Sequence, residues 1–189
     1  MKLLYKVTLL LALLLAGCQP IMPEAAHPGD DKIANAMSAG LPSIAHDATI
    51  VDLPTAPGGD LVELRKGSNQ WTCTPDLPFT PTNDPMCMDA NGLEFFRAYL
   101  AGRQPQYSGI GIIYMLQGQS VASNDDPSLM EPPAGEEWVI DGPHIMIVSP
   151  DPLDPALFSS KHLHGVPYVM FAGTPYEHLM VPFTEEMHH

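Results

Sequence analysis

Two stretches, PHIMIVSP (143–150) and PYEHLMVP (175–182), each place a histidine two residues ahead of a methionine. Side chains two apart on an extended strand share a face. His144 with Met146, and His178 with Met180, would each present an imidazole and a thioether to one side. Those donors suit copper, the reduced ion in particular. His162 and His164 add two imidazoles between the stretches. A copper site would be drawn from His144, Met146, His178 and Met180, completed by His162 or His164, with Glu177 as a partner behind a ligand. Packing is the simpler account. Both faces of HIMIVS and HLMVPF are apolar, and Met115 and Met170 stand in strands of the same kind. A strand buried on both sides uses methionine as flexible filler. Against that, both histidines stand at strand entries, where a side chain can reach solvent.

Hydrolytic chemistry has thinner support. Ser120, Ser123, Asp125 and Asp126 lie in a polar stretch (118–137) that could border a cleft. No nucleophile elbow, zincin motif or phosphate loop accompanies them. Asn124-Asp125-Asp126 lacks the spacing of a calcium loop and reads as a solvated turn. His188 and His189 are given no role.

The beginning of the chain speaks to location. MKLLYKVTLLLALLLAGC carries Lys2 and Lys6 and then an uncharged run from Val7 to Ala16, too short to span a bilayer as a mature helix. It reads as an export signal. The run ends in Leu15-Ala16-Gly17-Cys18, which resembles the lipobox of bacterial lipoproteins. That resemblance implies cleavage after residue 17, lipidation of Cys18 and firm membrane anchoring, since several acyl chains hold where one barely does. It also implies a place in the cell envelope, at the outer membrane in a Gram-negative cell because Gln19 follows the cysteine.

Of 189 residues, removal of the first 17 leaves 172, enough for one domain with a real core. Lys2 and Lys6 leave with the leader, so six basic residues face 22 acidic ones, a balance of −16 with histidines neutral. Such a surface repels nucleic acid and anionic headgroups. Twenty-one prolines and fifteen glycines favour turns over long helices, while 45% apolar residues argue against wholesale disorder.

With Cys18 lipidated, Cys73 and Cys87 remain, inside WTCTPDLPFTPTNDPMCMDA. In an oxidising compartment a disulfide is the natural outcome. It would close a loop of about fifteen residues, worth about 3 kcal/mol by chain entropy. A redox or metal-binding thiol pair is the alternative, and the wide spacing speaks against it.

The remaining pattern concerns the elements that must position these groups. Residues 18–30 are proline-rich and read as a tether, leaving 31–189 as a single globular domain. Asp30 or Asp31 is placed to cap a helix over 32–39. Strands are expected over 48–53, 109–118 and 144–149, with a hairpin of 61–66 and 70–74 around Gly67-Ser68-Asn69. The main helix is expected over 85–101, weakened in its middle by Asn91-Gly92, and one helical turn over 151–160. PYVMFAG and HLMVPF complete the set as two strands joined by 174–177. The sum is an α+β domain, a mostly antiparallel sheet with one main helix packed on it.

RKGSNQWTCTPD, NDPMCMDA, GIIYMLQG followed by SNDDP, PHIMIVSP and GVPYVMFAGTPYEHLMVP together resemble a family of uncharacterised bacterial secreted proteins that share these blocks in this order. The resemblance implies a self-contained exported domain with one disulfide and carries no activity. The expectation is therefore an acidic, lipid-anchored envelope protein with a non-catalytic binding or structural role, which meets the membrane through its N-terminal lipid. A copper-handling lipoprotein is the first alternative and an extracellular hydrolase the second.

Overall fold

The computed structural model of this protein describes residues 28–56, 58–162 and 165–183. Helix α1 (Pro28–Ser38) opens on a proline at its first position, where the missing N–H costs nothing. It therefore begins upstream of both aspartates expected to cap it, inside the stretch read as tether. Then come α2 (Pro42–Ala45), β1 (Thr49–Asp52), β2 (Val62–Arg65), β3 (Thr72–Thr74), β4 (Met86–Met88) and α3 (Ala90–Leu100). The second half supplies β5 (Gly111–Met115), β6 (Gln119–Val121), β7 (Val139–Asp141), β8 (His144–Val148), β9 (Tyr168–Met170) and β10 (His178–Pro182).

Eight strands form one mixed sheet in the order β2-β1-β3-β4-β5-β8-β10-β9, in which the β1–β3 pair is parallel and its other neighbours are antiparallel. β6 and β7 form a separate ribbon. The mostly antiparallel α+β arrangement is as the sequence implies. The single main helix becomes two of eleven residues, α1 and α3.

Alternation along the strands places the two helices on opposite faces of the sheet. Ala36 of α1 and Ala39 just after it share a core with Ile50, Cys73 and Cys87, against which Tyr114 packs. Phe95 and Phe96 of α3 share another with Met86, Met88, Ile113, Met115, Met146, Met170 and Met180. Cys87 lies between Met86 and Met88, and Tyr114 between Ile113 and Met115, so the cores back onto each other through the sheet.

Three expectations are corrected. The hairpin of 61–66 with 70–74 does not form, because β1 lies between β2 and β3. Gly67-Ser68-Asn69 instead folds onto the start of β1, where Ser68 and Asn69 donate backbone N–H groups to Asp47 O. A Cβ on Gly67 would lie 2.3 Å from Thr49 N, so only glycine fits this approach. The helix expected over 85–101 loses its first turn to β4, since Cys87 pairs with Cys73 and Met88 with Ile113 in the sheet. Asp89 then caps α3, accepting the Gly92 N–H at 2.8 Å, which puts Asn91-Gly92 in the first turn rather than the middle. Finally, β8 is not fully buried on both sides, whereas β10 is buried on both faces over His178, Leu179 and Met180. In β8, His144, Met146 and Val148 are buried, while Ile145 and Ile147 on the reverse face are half-buried.

Candidate functional site

Cross-strand register decides what the histidine–methionine pairs do. Met146 stands directly opposite Met180, whereas His144 pairs with Pro182 and His178 with Val148. All share the face covered by α3, but the two histidines occupy opposite ends of it, four positions apart, on the order of 13 Å along the strands. The structure brings the methionines together and leaves the imidazoles apart. Neither histidine reaches solvent at its strand entry; they are 0% and 1% exposed. His162 lies elsewhere, its Nε2 3.0 Å from Asp141 Oδ1, and His164 falls outside the described residues, as does Cys18. Glu177 accepts backbone N–H groups from Leu153 and Gly173 and so pins a turn. Among the described residues, no three His, Cys, Asp or Glu side chains are grouped as for a metal ion.

Both buried histidines hold a defined tautomer. Each Nδ1 is within reach of a backbone carbonyl, Gly142 O at 2.7 Å for His144 and Tyr176 O at 2.8 Å for His178. A carbonyl only accepts, so Nδ1 carries the proton and Nε2 the lone pair. The His178 ring is packed edge-on against Phe95 and Phe171, with centroids 5.2 and 5.6 Å away. Burial in this setting lowers its pKa to about 4, so the ring is neutral at physiological pH. Its Nε2 is buried and has no hydrogen-bond partner among the described residues.

The His178 side chain is among those that line a cavity of about 90 Å³ beneath α3. Phe95, Phe96 and Tyr99 form its helical wall, and Met115, Met146 and Met170 its floor on the sheet. A third wall comes from the loop between the cysteines, with Leu77, Phe79, Thr80 and Asp84. The stretch after β6 closes the remainder with Ser123, Asp126 and Leu129, beside Trp138. Phe171 also lines the cavity, in the left-handed region at φ 55°, a backbone state unfavourable for a bulky residue. The fold holds it there by two contacts: its N–H donates to Asn124 O at 2.8 Å, and its carbonyl accepts from Thr174.

Asp84 is the second unusual group. It is 2% exposed, accepts the Leu77 N–H at 3.1 Å, and its own N–H donates to Asp76. Burial raises its pKa to about 7, with the neighbouring Asp76 adding to the rise and the Thr80 hydroxyl opposing it. The Cys73–Cys87 disulfide expected from the sequence is formed and brackets this loop.

Ser120, Ser123, Asp125 and Asp126 serve local structure. Ser120 Oγ accepts from the Thr82 hydroxyl; Ser123 Oγ accepts the N–H groups of Asp125 and Asp126; Asp126 accepts from Ser128. Beside them lies a polar cluster that the sequence did not announce. Asp141 accepts from the Tyr168 hydroxyl at 2.7 Å, from His162, and from Gln119 at 3.1 Å. Asp84 was missed as well; its one signal was an aspartate in a proline-rich segment between two cysteines, which reads as an ordinary turn, whereas Phe95, Phe96 and Tyr99 were legible as a buried helical stripe though not as a cavity wall.

No family model, curated protein or solved structure matches this chain.

Proposed function

We propose that this protein is a lipid-anchored component of the cell envelope whose domain binds, without transforming it, a small apolar molecule bearing a hydrogen-bond donor. Support for the anchor comes from the leader and Leu15-Ala16-Gly17-Cys18, together with a resemblance to exported bacterial proteins. The observation that carries the binding reading is His178, whose buried Nε2 is an acceptor with no hydrogen-bond partner among the described residues and whose side chain lines a cavity walled largely by apolar and aromatic residues. Burying an acceptor unpaired costs free energy of about 1–3 kcal/mol, which a ligand's O–H or N–H would recover. Calorimetric titration with toluene and benzyl alcohol tests it. Benzyl alcohol is expected to bind several-fold more tightly than toluene, and His178→Phe to remove that preference. Absence of binding by either compound would end the reading.

A second reading, Cu(I) binding, is favoured by one observation: the Met146–Met180 pair shares a face with the His178 lone pair. A histidine that gives its other N–H to a carbonyl is oriented as metal-bound imidazoles are. Cu(I) competition titrations of the wild type and of Met146→Leu with His178→Phe decide it, and equal affinities would discard it.

A further inference from the structure

The polar side chains that line the α3 cavity have a common character: they include His178, Asp84 and Asp126, and among the described residues no lysine or arginine lines it. Asp84 is nearly inaccessible, yet its neighbours are a backbone N–H, the Thr80 hydroxyl and a second acid, Asp76, with no basic group among them. An ionised carboxylate in such a place normally has a counter-charge. Aromatic rings, whose faces attract cations through their quadrupoles, make up much of the lining: Phe95 and Tyr99 on α3, Phe171 stacked beside Tyr99, and Trp138. An anionic ligand would meet only like charge.

We propose, on the footing of the pocket reading above, that the natural ligand is a cation: a protonated amine on a compact apolar body, its N–H groups donated to Asp84. The protein then lacks a counter-ion for Asp84 because the ligand brings it. A cavity of about 90 Å³ admits a body of roughly six to nine non-hydrogen atoms, taking 10–15 Å³ for each water-sized position.

Three probes of one shape distinguish the possibilities: benzylamine, benzyl alcohol and benzoate, titrated calorimetrically into the protein at about pH 8, where Asp84 is ionised and the amine still protonated. Benzylamine is expected to bind at least about tenfold more tightly than benzyl alcohol, the scale of one partly screened buried ion pair, and benzoate not measurably. Asp84→Asn should narrow the gap between amine and alcohol to within about twofold. A second measurement needs no mutation: at about pH 5 Asp84 is protonated, so the amine's advantage should shrink in the wild type. The groups facing Asp84 do not titrate between these values. His178 stays neutral, Asp126, lowered by the Ser128 hydroxyl and N–H, stays ionised, and the Tyr99 hydroxyl, raised by burial, stays protonated. Equal binding of amine and alcohol, or an advantage that survives both Asp84→Asn and about pH 5, overturns the cationic ligand while leaving the pocket reading standing. Failure of all three probes overturns both.

Discussion

Cys73 and Cys87 face each other across β3 and β4, and the bond between them fixes both ends of the loop that carries Asp84. That loop has four prolines and no regular pairing of its own between Thr74 and Met86. Its order therefore depends on its ends. Replacing both cysteines by alanine is expected to lower unfolding free energy by about 3 kcal/mol and to weaken benzyl alcohol binding several-fold. Urea denaturation and calorimetry read the two effects. Full stability in the double variant would mean that the core on each face holds the loop without the crosslink.

Gly92 sits in the first turn of α3 where the helix comes closest to the sheet. A Cβ there would lie 2.7 Å from Ile113 Cγ1 and 2.9 Å from the Ile112 carbonyl oxygen. Helix propensity alone would make Gly92→Ala stabilising by up to about 1 kcal/mol. The clash with backbone outweighs it, so the variant is expected to lose about 1–3 kcal/mol. A thermal midpoint at or above that of the wild type would show that α3 can lift away from β5 at little cost.

The sequence disclosed most where local chemistry and tertiary structure agree. β5, β8, β9 and β10 followed from runs of apolar and β-branched residues, and the disulfide from counting cysteines in an exported chain. Met86–Met88 failed the test because its helical spacing was overridden by pairing with β3 and β5 on either side. The hairpin failed because turn chemistry at Gly67-Ser68-Asn69 says that the chain bends, not which strand it bends toward. For the site, the histidine and methionine types were visible but their register was not. Spacing of two shows that His178 and Met180 share a face; only pairing shows that His178 faces Val148 and Met180 faces Met146. Asp84 was illegible because its chemistry comes from burial beneath α3, a long-range consequence.

Anchoring predicts a clean difference between wild type and Cys18→Ser. The wild-type chain should incorporate labelled fatty acid and partition with membranes, while the variant should do neither. Among the described residues no helix is long and apolar enough to cross a membrane; the proposed lipid attachment rests on Leu15-Ala16-Gly17-Cys18. Membrane partition that persists without acylation would displace Cys18 from that role.

His178 and Asp84 impose opposite pH dependences on stability. Burial takes His178 from an ordinary 6.5 down to about 4, so between those values the unfolded chain binds a proton that the folded protein does not. Its contribution is complete above about 6.5 and is lost as pH falls toward 4. Asp84 runs the other way, from an ordinary 3.8 up to about 7: the folded protein keeps a proton that the unfolded chain releases. Its contribution is complete below about 3.8 and is lost as pH rises through 7. Across the shared window the two slopes oppose each other, and removing one group exposes the other. Relative to the wild type, Asp84→Asn should gain up to about 3 kcal/mol more stability as pH is raised from about 4 to 6.5, the Asp84 contribution that the wild type loses across that window. His178→Phe should tilt the profile in the opposite sense. Urea denaturation at several pH values in that window reads both, and parallel profiles for the wild type and the two variants would show that neither group is held in the protonation state described.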